Sequence, residues 1–159
     1  MSSYDNIFVF DLANNHQGSV QHAKKIVDSV ATTVTAYDIA PIIKFQFRDL
    51  ATFISKAELD SPRNKHVPRF LTTRLTWDEY EEIVTYAKGK NLLTACTPFD
   101  ESSVEKIMEF GFDYIKLASC SARDWPLVEA ICAANLPIIA STGGLSLTEI
   151  DDLVSFFQH

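Results

Sequence analysis

An α/β protein with a mostly parallel sheet is the fold class that the sequence predicts, and three observations predict it. Five short apolar runs are spaced along 159 residues, a segment of helical period follows each, and the helix starts carry capping signals. The runs are IFVFDLA (Ile7 to Ala13), IIKFQF (Ile42 to Phe47), LLTACT (Leu92 to Thr97), YIKLAS (Tyr114 to Ser119) and PIIAST (Pro137 to Thr142). Their length and their Ile, Val and Phe content suit strands covered on both faces.

The helices follow in order. Val20, Ala23, Val27 and Val30 form one apolar stripe, and Tyr80, Ile83, Val84 and Ala87 form a second. Thr76 with Glu79, and Ser146 with Glu149, have capping-box spacing. Asp124 followed by Pro126 opens another helix, while Gly111 and Asn135 stand where C-caps belong. One stretch, Asp49 to Thr73, reads as an irregular connection, polar and proline-marked around DSPRNKHVPRF. A connection of that length is usually functional. Five strand–helix units complete a doubly wound sheet, and they equally make the first five units of an eight-unit barrel of about 250 residues. Periodicity leaves both open.

Composition narrows the function. The chain is 47% apolar with a mean hydropathy of +0.01, enough to bury a core, and no apolar run reaches the length of a membrane span. A formal charge of −7 and a pI near 5.0 argue against a nucleic-acid partner. The start, MSSYDN, has no secretion signal, and three cysteines (Cys96, Cys120, Cys132) without metal-ligand spacing suggest a reducing compartment. A cytoplasmic protein without membrane attachment is expected.

Both architectures place a site at the carboxyl ends of the strands, and the sequence loads that end with polar groups. Asp11 and NNHQGS close the first strand. Lys44, Gln46 and Arg48 alternate along the second and so share one face. Thr97 closes the third, Lys116 and Ser119 the fourth, and Ser141-Thr142-Gly143-Gly144 the fifth. Each has a plainer reading: strand-end hydroxyls cap helices, Asp11 pairs with Lys44, and His16 is a loop residue, since no second histidine stands at ligand spacing. Lys116 is the exception that asks for a partner, because a lysine in an apolar strand is costly unless an anion or a carboxylate meets it. Two lysines, several hydroxyls and a Gly-Gly turn at one mouth suit a small, multiply charged anion.

Taken in order, FDLANNHQGS, IKFQ, ACTPFDESSV, YIKLAS and PIIASTGGLSLTEI resemble the N-acetylneuraminate (sialic acid) synthase family, including its spore-coat polysaccharide synthase E-like members. The resemblance implies a (β/α)8 TIM barrel, of which residues 1–159 are about the first five units. It implies a homodimeric enzyme that condenses phosphoenolpyruvate with an N-acylated mannosamine-type sugar, releasing phosphate. By motif, Asp11, Lys44 and Lys116 are the catalytic residues, and Gln46, Thr97, Ser119 and Ser141 bind substrate. Family members use Mn²⁺ or Mg²⁺ held by histidines of later units, so no metal ligand is expected in this chain, and the fragment alone is expected to be inactive. Asp11 stands where the family usually has a glutamate, and Ser121 near where another is usual, which leaves a non-catalytic anion-binding domain as the rival reading.

Overall fold

A computed structural model describes residues 5–57, 64 and 66–158. Five strands form one sheet: β1 (Ile7–Asp11), β2 (Ala40–Phe47), β3 (Leu93–Pro98), β4 (Tyr114–Leu117) and β5 (Ile138–Ala140). All neighbouring pairs are parallel and the order is simply β1-β2-β3-β4-β5. A doubly wound sheet reverses its strand order at a switch point. This sheet never reverses, so that alternative falls and the chain is a parallel five-stranded half-barrel.

The helices are α1 (Val20–Val34), α2 (Leu50–Phe53), α3 (His66–Thr72), α4 (Trp77–Gly89), α5 (Glu101–Glu109), α6 (Trp125–Ala133) and α7 (Leu147–Gln158). Both capping boxes form. The Thr76 amide donates to Glu79 at 2.7 Å, and the Ser146 amide to Glu149 at 2.7 Å, with each hydroxyl accepting the glutamate's own amide. Gly111 and Asn135 take positive φ values of 66° and 52°, as C-caps do. The stretch from Asp49 to Thr73 corrects the sequence reading, because it contains the short helices α2 and α3. Asp49 accepts from the Ala51 amide and Asn64 from the His66 amide, so residues that look like loop polarity are caps. Residues 58–63 and 65 of that stretch lie outside the described residues.

The two faces of the sheet differ in kind. Ile43, Phe45, Phe47, Cys96, Ile115 and Leu117 face the helices and join Val27, Ile83, Ile107, Leu127 and Ile131 in one large core. Phe47 sits at its centre, with ring centroids of Trp77, Tyr80, Phe110 and Phe112 between 4.7 and 6.0 Å away. The opposite face has only a small apolar cluster of Ile42, Ala95 and Tyr114, flanked by Ile7, Leu93 and Ile139. Strand parity puts Asp11, Lys44, Gln46, Thr97 and Lys116 on this second face, towards the carboxyl ends.

Candidate active site

Register brings the predicted residues together. Asp11 is the β1 partner of Lys44, and Gln46 is the β2 partner of Thr97. Lys44 and Asp11 form an ion pair at 3.0 Å, with the lysine largely covered (side chain 17% exposed) and the aspartate half open. The plainer reading of Asp11 therefore holds for the free protein. Thr97 is buried beside them.

Lys116 is held differently. Its Nζ donates to Ser141 Oγ at 2.6 Å and to the Leu117 carbonyl at 2.6 Å. Among the described residues no carboxylate lies within ion-pair distance of it. Partial burial, and then the like charge of Lys44, push its pKa below the usual lysine range, with Cys120 and Asp11 opposing. Lys116 thus lies within electrostatic reach of both Lys44 and Asp11, and the strand-end groups share one mouth. Ser119 begins a 3-10 turn (Ser119–Ser121) rather than ending the strand. A Cβ placed on Gly143 would lie 3.6 Å from Ser119 Oγ, so the Gly-Gly turn after β5 packs directly over that hydroxyl. Arg123 fixes the turn from outside, donating to the Gly144 carbonyl at 2.8 Å and to both carboxylate oxygens of Glu149.

His16 is a loop residue, as its sequence context suggests, but a fully buried one. Its Nδ1 accepts from the Gly18 amide at 3.1 Å, and its ring stands edge-on to Tyr80. Desolvation lowers its pKa to about 4, so it is neutral at pH 7, and Nε2 has no partner among the described residues. Gly18 makes this loop possible. Its φ is +74°, and a Cβ there would come within 3.1 Å of the Thr72 carbonyl.

Sequence reasoning missed the neighbouring cleft. It has a volume of about 300 Å³ and lies between Asn14 of the β1 loop, Gln46 and Arg48 of the β2 end, and Phe70, Trp77 and Tyr80 of the following helices. Two signals pointed there: the length of the β2–α4 connection, and the shared face of Lys44, Gln46 and Arg48. Among the described residues no three His, Cys, Asp or Glu side chains cluster closely enough to hold a metal ion. The divalent metal that the resemblance implies therefore finds no complete ligand set among them.

Fold and site together define a class: a β/α half-barrel of the type found in TIM-barrel synthases, with a cationic, hydroxyl-lined mouth at the carboxyl ends of its strands. A model of the NeuB family matches residues 31–159, and the chain belongs to that family. A solved spore coat polysaccharide biosynthesis protein E from Chromobacterium violaceum superposes with a TM-score of 0.92 at 38% identity, over 95% of this chain and 45% of that one. An N-acetylneuraminic acid synthetase from Leptospira borgpetersenii, solved with citrate, superposes with a TM-score of 0.76 at 27% identity, over 96% of this chain and 50% of that one. The N,N'-diacetyllegionaminic acid synthase of Campylobacter jejuni is 27% identical over 94% of this chain and 46% of its own length. The chain thus spans about half the length of the relatives it matches.

Proposed function

We propose that the protein carrying this chain is a nonulosonic acid synthase that condenses phosphoenolpyruvate with an N-acylated mannosamine-type sugar and releases phosphate. In this reading the half-barrel closes as a (β/α)8 barrel, and the enzyme works as a homodimer in the cytoplasm. The observation that carries the proposal is Lys116: a desolvated lysine without a carboxylate partner among the described residues, bonded to Ser141 and facing the same mouth as Lys44. A phosphorylated carboxylate supplies the missing charge.

The chemistry requires C3 of the enol phosphate to attack the sugar aldehyde, whose oxygen takes a proton as the new C–C bond forms. Water adds to C2, and the resulting tetrahedral centre collapses with cleavage of the C2–O bond, releasing phosphate and leaving a 2-keto acid. Lys116 and Ser141 bind one anionic group of phosphoenolpyruvate, and Ser119, Thr97 and the turn at Gly143 line the remainder. Lys44 neutralises the other anionic group of phosphoenolpyruvate. Asp11, released from Lys44 as substrate neutralises that lysine, orients the attacking water, and Gln46 holds the sugar. The residues described here assemble no metal centre, so no step is assigned to the Mn²⁺ or Mg²⁺ of the family resemblance. The rival reading, an anion-binding domain without turnover, draws on Asp11 being occupied by Lys44.

Lys116→Met tests the proposal. The methionine keeps much of the apolar stem and drops only the charge. Affinity for phosphoenolpyruvate should fall by about 30-fold or more, as expected for loss of a charge-assisted contact to a desolvated anion. The melting temperature should hold or rise. Unchanged ligand affinity in a destabilised variant would make Lys116 structural, and ligand binding without product formation in the wild type would favour the rival.

A further inference from the structure

The cleft beside Gln46 holds an arginine whose charge has no carboxylate counterpart among the described residues. Arg48 is clamped among aromatic rings, with its guanidinium 3.9 Å from the Phe99 centroid, 4.6 Å from Phe70 and 5.7 Å from Phe53. Its Nη2 donates to Gln46 Oε1 at 3.0 Å, while Nε is buried with no partner among the described residues. Among the described residues no carboxylate pairs with it. Asp49, the acidic residue lining the cleft, has Oδ1 committed to the Ala51 amide. Arg69 acts on Arg48 electrostatically and Arg74 lines the cleft, both cationic, while the nearby carboxylate of Asp100 is spent on the Asp49 amide and on Ser102 and Ser103.

A guanidinium serving only as a structural pin normally ends on a carboxylate or on several carbonyls, because burying it otherwise leaves donors unsatisfied. Arg48 ends on one amide oxygen and faces open space. Its rigid fork matches carboxylate and phosphate oxygens. By occupying Gln46 Oε1, it leaves the amide nitrogen, a donor, as the remaining polar end of a side chain that lines the cleft. Trp77 and Phe70 supply apolar walls for a sugar ring, and about 300 Å³ stands at the lower end of small-molecule sites.

We propose that this cleft is the acceptor subsite and that Arg48 selects an acceptor bearing an anionic substituent, a phosphate monoester or a carboxylate, over the neutral sugar. The inference rests on the synthase reading and deepens it by naming the acceptor class.

Calorimetric titration of the intact protein with N-acetylmannosamine, its 6-phosphate and the corresponding uronate is the test, with phosphoenolpyruvate titrated in parallel. At least one anionic sugar should bind about tenfold or more tightly than the neutral parent, and which one does identifies the substituent. Arg48→Met should remove that advantage, bringing the anionic and neutral sugars to within about twofold of each other in Kd, since the methionine keeps the packing among the rings but drops the charge. Arg48→Lys retains charge without the fork and should keep only part of the advantage, a readout that stands even if the methionine variant fails to fold. Equal or tighter binding of the neutral sugar, an advantage that survives either substitution in full, or no binding of any sugar overturns the inference. Phosphoenolpyruvate separates the two levels. If it still binds in those cases, the synthase reading survives the loss of this one; if it does not, both fall.

Discussion

The two faces of the sheet are built from the same strands, residue by residue in alternation, yet they obey opposite rules. On the helix side every strand residue is apolar or buried, and the rings around Phe47 interlock. On the other side, apolar residues occupy only the amino ends, and charge takes over towards the carboxyl ends. The first face supplies stability through area and close packing. The second gives some of it up: Lys116 is desolvated next to another lysine, and Arg48 keeps a buried donor unpaired. Residues that a stable core would reject gather at functional sites as a general rule, which is the ground for the ligand proposed here.

The difference can be broken most severely on the helix side. Phe47→Ala removes the ring at the centre of five aromatic contacts and should destabilise the protein by about 3–5 kcal/mol in urea unfolding. A loss below about 1 kcal/mol would mean that the cluster repacks and that the core is not the rigid support assumed here.

His16 offers the next largest effect and tests whether its burial is real. Its folded pKa, about 4, lies below the ordinary histidine value of 6.5. Above pH 6.5 neither folded nor unfolded chain carries the proton, so stability is unaffected. As pH falls from 6.5 to 4 the unfolded chain takes up a proton that the fold refuses, and stability drops by up to about 3 kcal/mol. The melting temperature of the wild type should therefore fall over this window more steeply than that of His16→Gln. Parallel curves would show that His16 charges freely.

Lys116→Met sharpens the same difference from the ligand side. Because the folded pKa is depressed, the charged form is penalised at neutral pH, and the penalty fades only as pH rises through that value towards the unfolded one. Removing the charge should leave stability intact while phosphoenolpyruvate affinity falls by about 30-fold or more. Glu149→Gln should have the smallest effect. The Arg123–Glu149 pair is exposed, so the melting temperature should barely move, although hydrogen bonds from Arg123 and then Ser146 hold the Glu149 pKa at about 2. A marked loss of anion affinity in that variant would show that the clamp positions the Gly-Gly turn.

Much of this was legible in the linear chain because it depends on local rules. Strand and helix order follow from hydrophobic period, and the capping boxes at Thr76 and Ser146 form as their spacing predicts. Side-chain parity alone placed Lys44, Gln46 and Arg48 on one face. The helices α2 and α3 were hidden because they are short and start on Asp and Asn, residues that also mark loops.

What lay beyond the chain's local signals is pairing at a distance. Period-two runs cannot say which strand lies beside which, so only the sheet order separated a half-barrel from a doubly wound domain. Only the register joined Asp11 to Lys44, and only the fold carried Ser141 across to Lys116, twenty-five residues away. The aromatic clamp on Arg48 gathers Phe53, Phe70 and Phe99 from three separate segments. Charge and periodicity are properties of neighbours in sequence. Whether a charge is satisfied depends on neighbours in space, and these exist only once the backbone has closed.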